Sequence, residues 1–361
     1  MPSLKKIVID SYPITTPYVG VGEFCRQIGK RLSERAFELR SQYGIELYFI
    51  LPPQFKGYFG NNVHYICMPA LLRGIAPFYP IKADLFHIPY QYNKIKNLYF
   101  AKKQLLTIHD INFIYEKKNE ELKKAINKFK GKINKTDYIS YISEFACKDT
   151  EEHFNVKLPK KIIYNGVTDL SNSFQEETLP SNLPKNFLFH ISSLLPKKNV
   201  HLLVKMMKYL PDYNLVIAGN WNSNYAKNIK REISDNRINN IYILSNVTES
   251  EKATLYKFCK AFLFPSLCEG FGLPPIEAMK FGKPVFLSKL TSLPEIGGNE
   301  AFYWEDLSPQ KMAEVLKDKL ALYDASSDYP ERLIKSASRF NWDNCVDQYI
   351  KYYLEILGIE E

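Results

Sequence analysis

Short apolar runs punctuate the first half of the chain at residues 6–10, 45–51, 63–68, 84–88, 105–109 and 138–143. Runs this short, bounded by turn residues and lysines, predict buried strands. A helical spacing of apolar positions lies between some of them, most clearly over residues 23–40. The pattern begins again in the second half, with strands expected at 187–192, 215–218, 241–244, 261–264 and 285–287. Helices separate these too, one of them opened by a capping box from Thr248 to Glu251. Between the two series, residues 169–185 are polar, contain Pro180 and Pro184 and show no periodicity. Strands alternating with helices imply parallel sheets covered on both faces. The expected fold class is α/β, with two doubly wound Rossmann-like domains facing a cleft. The domains are expected at residues 1–170 and 171–340. A last helix carries Trp342, Val346, Tyr349, Tyr353 and Ile356 on one stripe.

The stretch richest in chemistry is residues 266–288, SLCEGFGLPPIEAMKFGKPVFLS. It follows the apolar run AFLFP and ends in a second apolar run. Gly270 and Gly272 permit backbone conformations closed to other residues and let a ligand come close. Pro274 and Pro275 suit the first positions of a helix. Glu277 is then expected in the first turn of that helix, favoured by its dipole, and Gly282 and Pro284 end it. Glu269 lies on the loop ahead of the helix. The segment predicts two carboxylates on different elements, with helix N-terminal amides between them. Such amides attract phosphate, and carboxylates accept hydrogen bonds from hydroxyls.

Glu269, Gly270, Phe271, Gly272, Leu273, Pro274, Glu277, Ala278, Met279, Gly282, Pro284 and Val285, continued by Ser292-Leu293-Pro294-Glu295, resemble the signature of the retaining glycosyltransferases of the GT-B fold. The match is to the large family 4, whose members of this form often build bacterial surface polysaccharides. The resemblance implies that residues 1–170 bind acceptor, that 171–340 bind a nucleotide-diphosphate sugar, and that the helix at 341–361 crosses back onto the first domain. It assigns Glu277 to the ribose hydroxyls and Glu269 to a sugar hydroxyl. The backbone of Gly270, Phe271, Gly272 and Leu273 is expected at the diphosphate.

Three further features gain meaning from the resemblance. Gly20-Val21-Gly22 follows the first strand and precedes a helix; it resembles the first-domain glycine loop of the family, which lies near the donor. His109-Asp110 ends an apolar strand. By itself it reads as a hydrogen-bonded strand-edge histidine; the family has a His-Asp here with the histidine facing the donor sugar. Ser143-Glu144-Phe145 and Asn165-Gly166-Val167 match family landmarks read as structural. The other five histidines show no metal-ligand spacing, and there is no D-x-D triplet. No metal and no cofactor are expected, the substrate being a GDP- or UDP-linked sugar.

The chain departs from the family at residues 187–200, FLFHISSLLPKKNV. The family usually places Gly-Arg where Ser192 and Ser193 stand, and Lys-Asn where Lys198 and Asn199 stand. Lys198 is then the cation for the leaving diphosphate. Ser193 cannot reproduce a bidentate arginine. A hydrogen bond from Ser193 and a charge from Lys197 are the two candidate replacements.

At 361 residues with 45% hydrophobic content, the chain is long enough for two cores. Cys25, Cys67, Cys147, Cys259, Cys268 and Cys345 form no C-x-x-C pair, which suits free thiols in a reducing compartment. The N-terminus lacks the long apolar region of a secretory signal, and no run approaches the length of a membrane-spanning helix. A cytoplasmic location is expected. The net charge of +9 is uneven: residues 94–135 hold twelve lysines against four acids. Leu122, Ile126, Phe129 and Ile133 form a helical stripe within that segment. The stripe reads as core-facing with a solvated lysine face; the region as a whole also suits peripheral contact with anionic membrane. No nucleic-acid-binding motif accompanies the charge.

The function expected is retaining transfer of a hexose, mannose or similar, from a nucleotide-diphosphate sugar to an acceptor hydroxyl of a lipid-linked glycan. His109, Glu269 and Lys198 are the candidate catalytic residues. Two alternatives remain open at this point: a sugar-nucleotide epimerase of the same fold, and a non-catalytic sugar-nucleotide-binding protein.

Overall fold

The computed structural model describes residues 4–16, 20–74, 81–92, 100–173 and 183–360. The chain divides into two compact units, Met1–Gly166 with Asn341–Glu361, and Val167–Phe340.

The first unit is built on seven strands: β1 (Lys5–Asp10), β2 (Ile45–Leu51), β3 (His64–Cys67), β4 (Ala83–Ile88), β5 (Ala101–Ile108), β6 (Tyr138–Tyr141) and β7 (Lys160–Ile162). Their order is β3-β2-β1-β4-β5-β6-β7, with every pairing parallel. The helices are α1 (Gly20–Glu34), α2 (Ala36–Tyr43), α3 (Phe113–Glu116), α4 (Asn119–Ile133) and α5 (Glu144–Phe154). Side chains alternate across β1, so neighbouring residues feed different cores. Ile7 and Ile9 join Phe24, Ile28 and Leu32 of α1 on one face. Val8 joins Phe113, Phe129 and Ala146 on the other. Burial on both faces is why these strands read as continuous apolar runs.

The second unit holds β8 (Phe187–Ser192), β9 (Asn214–Gly219), β10 (Ile241–Leu244), β11 (Ala261–Phe264), β12 (Val285–Ser288) and β13 (Phe302–Trp304). Their order is β10-β9-β8-β11-β12-β13, again all parallel. Its helices are α6 (Val200–Met206), α7 (Asn224–Asp235), α8 (Glu249–Phe258), α9 (Leu273–Lys280), α10 (Leu293–Gly297), α11 (Pro309–Asp324) and α12 (Tyr329–Ser338). The chain then enters α13 (Trp342–Leu357), which packs in the first unit through Trp342, Val346, Tyr349, Tyr353 and Ile356.

A buried polar chain fixes α13 to the sheet. His87 pairs with Tyr353 Oη at 2.7 Å and Thr107 Oγ1 at 2.8 Å. Thr107 in turn reaches Ser140 at 2.7 Å and Tyr349 at 3.1 Å.

In both sheets the strand order reverses beside the first strand, between β1 and β4 and between β8 and β11. Ligands of such sheets bind in the crevice at the carboxyl ends of the strands flanking that reversal. The segments leaving β8 and β11 are those that carry Lys198 and Glu269.

Some elements differ from the expectation. The helix expected over 23–40 is two helices, α1 and α2, because Arg35 leaves helical geometry (φ −95°, ψ 2°). Its side chain pairs with Asp347 of α13, and α2 then turns along β2. β7 and β13 escape sequence reading because each has three residues, too few for a period of two to register. Residues 174–182 of the polar stretch lie outside the described residues. So do Lys94, Lys96 and Tyr99 of the basic segment.

Candidate donor-binding site

The segment leaving β8 is held in one shape by unusual backbone. Leu194 (φ 49°) and Asn199 (φ 57°) are left-handed, and a short 3-10 turn, Pro196–Lys198, lies between them. His190 Nδ1 donates to the Leu263 carbonyl at 2.7 Å, so its Nε2 accepts from the Ser192 hydroxyl at 2.8 Å. Burial lowers the pKa of His190 to about 4, keeping it neutral. Ser192 Oγ also takes the Leu194 amide at 3.2 Å. Ser192 is thus committed within the loop, whereas Ser193 beside it is exposed.

This loop is joined to the one leaving β11. The Lys197 carbonyl accepts from the Leu267 amide at 2.7 Å and the Ser266 hydroxyl at 3.1 Å. The result brings Lys198 to Glu269, Nζ to Oε1 at 2.5 Å. The two side chains are 13% and 12% exposed, and Lys198 also lies 5.3 Å from the centre of the Phe264 ring. The Glu269 amide donates to Thr291 Oγ1 at 3.1 Å. Ser292 Oγ reaches the carbonyls of Glu269 (3.1 Å) and Phe271 (2.6 Å).

Gly272 caps α9 at φ 119°, and a Cβ there would lie 2.4 Å from Ile296 Cδ1. Only glycine satisfies both demands. The helix begins at Leu273, so Glu277 is in its second turn rather than its first, and no acidic residue occupies the first turn. The dipole that was expected to hold Glu277 is replaced by side chains. Lys252 Nζ lies 3.2 Å from Oε1, and Tyr256 Oη donates to Oε2 at 2.8 Å. Both come from α8. Pro274 and Pro275 remove two of the amides that a helix start would offer, leaving those of Gly272 and Leu273. Gly270 and Phe271 are buried. The Phe271 ring meets Phe340 edge-on at 5.5 Å, so its side chain serves packing and only its backbone is left for a ligand.

The first unit places its candidates around the carboxyl ends of β1, β4 and β5. His109 follows β5 and is buried; its Nε2 donates to the Pro89 carbonyl at 2.8 Å. Its amide donates to Gln91 Oε1 at 3.3 Å, and its ring meets Phe24 at 5.0 Å. Burial lowers its pKa to about 4 despite the bond to Pro89. His109 is therefore a neutral imidazole with Nδ1 as its acceptor. Gly20 and Gly22 do not form a loop. They open α1, and a Cβ on Gly22 would lie 2.0 Å from the Thr16 carbonyl oxygen. Gly20 is exposed and Gly22 buried.

The sequence reading missed Lys252 and Tyr256. The available signal was their spacing of four on the helix opened by the capping box, which puts both on one face. It also missed a buried ion pair, Arg73 with Asp10 at 2.7 Å. Arg73 also stacks over Tyr12 at 3.7 Å and donates to Tyr90 at 3.1 Å. Among the described residues no cluster of three or more His, Cys, Asp or Glu could hold a metal ion.

Residues 171–340 match the family model described as glycosyl transferases group 1. The O-antigen chain mannosyltransferase RfbU of Salmonella typhimurium is 27% identical over 248 residues, 67% of each chain. O-antigen chain mannosyltransferase B of Escherichia coli is 23% identical over 391 residues, spanning 96% of this chain and 99% of that protein. The structure of Anabaena HepE in complex with UDP and glucose superposes with a TM-score of 0.70 at 17% identity, covering 98% of this chain and 99% of that one. That likeness shows the fold, which is the GT-B fold. The protein is a glycosyltransferase. More narrowly, residues 171–340 are a group 1 glycosyltransferase domain.

Proposed function

We propose that the protein transfers a hexose, mannose by preference, from a nucleotide-diphosphate sugar to an acceptor hydroxyl, with retention of configuration. The acceptor proposed is a lipid-linked glycan of a bacterial surface polysaccharide. The mannosyltransferase names of the two relatives support the sugar and the setting. The complex of Anabaena HepE with UDP and glucose supports a nucleotide-sugar donor.

The observation that carries the reading is the meeting of Lys198 and Glu269 at the switch point of the second sheet. Breaking the anomeric bond builds charge on the departing diphosphate. A cation and amides already aimed at that charge lower the barrier. Lys198 and the amides of Gly272 and Leu273 fill that role. Glu269, released from Lys198, accepts from a sugar hydroxyl and orients the anomeric carbon. Glu277 accepts from the ribose hydroxyls. His109, neutral and with Nδ1 as acceptor, suits a sugar hydroxyl better than a phosphate. The leaving phosphate takes the acceptor proton, so neither glutamate has to act as a covalent nucleophile. The chemistry proposed uses no metal.

Ser193, exposed and beside the committed Ser192, is the better placed replacement for the usual arginine to donate to phosphate. We also propose that the first unit docks on anionic membrane. Lys123, Lys124, Lys128 and Lys130 of α4 are exposed, while Leu122, Ile126, Phe129 and Ile133 pack inward. Tyr92 and Tyr115 are 44% and 51% exposed, which suits an interfacial surface. No helix among the described residues is long and apolar enough to cross a membrane.

A binding screen of GDP-, UDP- and dTDP-sugars, followed by transfer assays with lipid-linked acceptors, tests the reading. Binding of one donor with acceptor-dependent transfer is expected. An altered sugar nucleotide formed without acceptor, or no turnover with any donor, would overturn it.

A further inference from the structure

Both oxygens of the Glu277 carboxylate are already engaged by α8. Oε1 faces the Lys252 ammonium at 3.2 Å and Oε2 accepts from Tyr256 at 2.8 Å. Neither partner is a loose surface contact. The Tyr256 ring is fully buried and packed among Phe189 (5.3 Å), Phe262 (5.5 Å) and Phe281 (5.9 Å). Burial and the Glu277 charge push its phenol pKa well up, so it keeps its proton and must donate. Burial pulls the Lys252 pKa down, but the carboxylates of Glu277 and Glu249 outweigh it, and Lys252 stays charged.

A carboxylate has about four lone-pair positions. With one used on each oxygen, one remains on each, and the direction of both is set by Tyr256, held by packing, and by Lys252, 15% exposed and also paired with Glu249 at 3.2 Å. Two parallel acceptors on one rigid carboxylate match two adjacent hydroxyls on a ring.

We propose that Lys252 and Tyr256 are positioning residues that turn Glu277 into a two-point receptor for a vicinal diol, and that they thereby set a preference for ribose over 2′-deoxyribose in the donor. The inference rests on the reading of Glu277 as the ribose ligand and goes beyond it by naming what makes that glutamate selective. A carboxylate free to rotate would find one hydroxyl nearly as well as two. A clamped one loses a bond, and leaves an acceptor unmatched, when the 2′-hydroxyl is missing.

Calorimetric binding of GDP-mannose and UDP-glucose, each beside its 2′-deoxyribose analogue, tests this without any acceptor. Tyr256→Phe removes only the hydroxyl, and Lys252→Met keeps the apolar stem. In wild type the ribo-form of the donor should bind about tenfold tighter than the 2′-deoxy form. In each variant that preference should shrink to about threefold or less, chiefly through weaker binding of the ribo-form. The ratio is read on a single preparation, so partial loss of folded protein cancels from it. An unchanged ratio in both variants would overturn the inference while leaving the transferase reading intact. Failure of wild type to bind either ribo-form would overturn that reading, and this inference with it.

Discussion

The ammonium of Lys198 lies against the carboxylate of Glu269, at the point where the segments leaving β8 and β11 meet. Each side chain satisfies the other before any ligand arrives. In the proposed reaction a diphosphate, with more charge than one carboxylate, is the competitor for Lys198, and its arrival would free Glu269 for the sugar. On that proposal, one ion pair couples phosphate binding to sugar binding.

Replacing Lys198 with alanine should lower kcat/KM for sugar transfer by at least about a hundredfold, the usual scale for removing a donor to developing charge. Lys198→Arg should recover part of the loss. Steady-state kinetics checks both. Rates within about threefold of wild type for Lys198→Ala would remove Lys198 from the site.

Glu277→Ala should abolish measurable transfer and also lower Tm, because Lys252 and Tyr256 lose the acceptor they share. A thermal scan beside the activity assay separates the two effects. Full stability with no activity would assign Glu277 to binding alone.

Gly272→Ala should destabilise the second unit by about 1–3 kcal/mol. The substitution strains a backbone at φ 119° and drives a methyl into Ile296. Denaturant unfolding measures it, and a neutral result would contradict the tight cap described for α9.

Acid should destabilise the fold ahead of ordinary carboxylate titration. Burial lowers the pKa of His87 to about 3, and those of His109 and His190 to about 4. The unfolded chain takes up these protons near pH 6.5 and the folded chain does not. Stability from these groups is therefore complete above about pH 6.5 and falls as pH drops towards 4. The slope is about 1.4 kcal/mol per pH unit for each histidine. Tm measured from pH 7.5 to 4.5 should show this, and His190→Gln should flatten it. The same slope in that variant would show that His190 is not held neutral.

Binding to vesicles should depend on their charge. Sedimentation with phosphatidylglycerol vesicles should be strong at low salt and weaken as salt rises. Lys123→Glu with Lys128→Glu should weaken it further. Equal binding to neutral phosphatidylcholine vesicles would contradict docking through α4.

The local geometry of the second unit's candidate site was largely legible from sequence because its determinants are local. Two glycines, two prolines and two glutamates within nine residues fix a turn, a helix start and two carboxylates. The turn occupied by Glu277 was not legible. Gly272 caps the helix at a φ that only the fold around Ile296 makes necessary, and this moves the helix start forward to Leu273. Lys252 and Tyr256 were hidden because α8 reads as an ordinary capped helix, and only the sheet order brings it to α9. Arg73 and Asp10 lie 63 residues apart in the chain, and no periodicity announces such a pair. The division of residues 23–40 into two helices falls at Arg35, which no proline or glycine marks and whose partner Asp347 lies across most of the sequence. Gly20-Val21-Gly22 read as a loop because it follows the first strand and resembles the first-domain glycine loop of the family. In the structure Gly22 is instead the one residue small enough to bring α1 against the Thr16 carbonyl.

The most direct measurement is the anomeric configuration of the product by NMR, after incubating a bound donor with a lipid-linked acceptor and either wild type or Lys198→Ala. Wild type should yield glycosylated acceptor with the configuration of the donor, and Lys198→Ala should yield none above background. An inverted product, or undiminished product from Lys198→Ala, would contradict retaining transfer driven by charge stabilisation at Lys198.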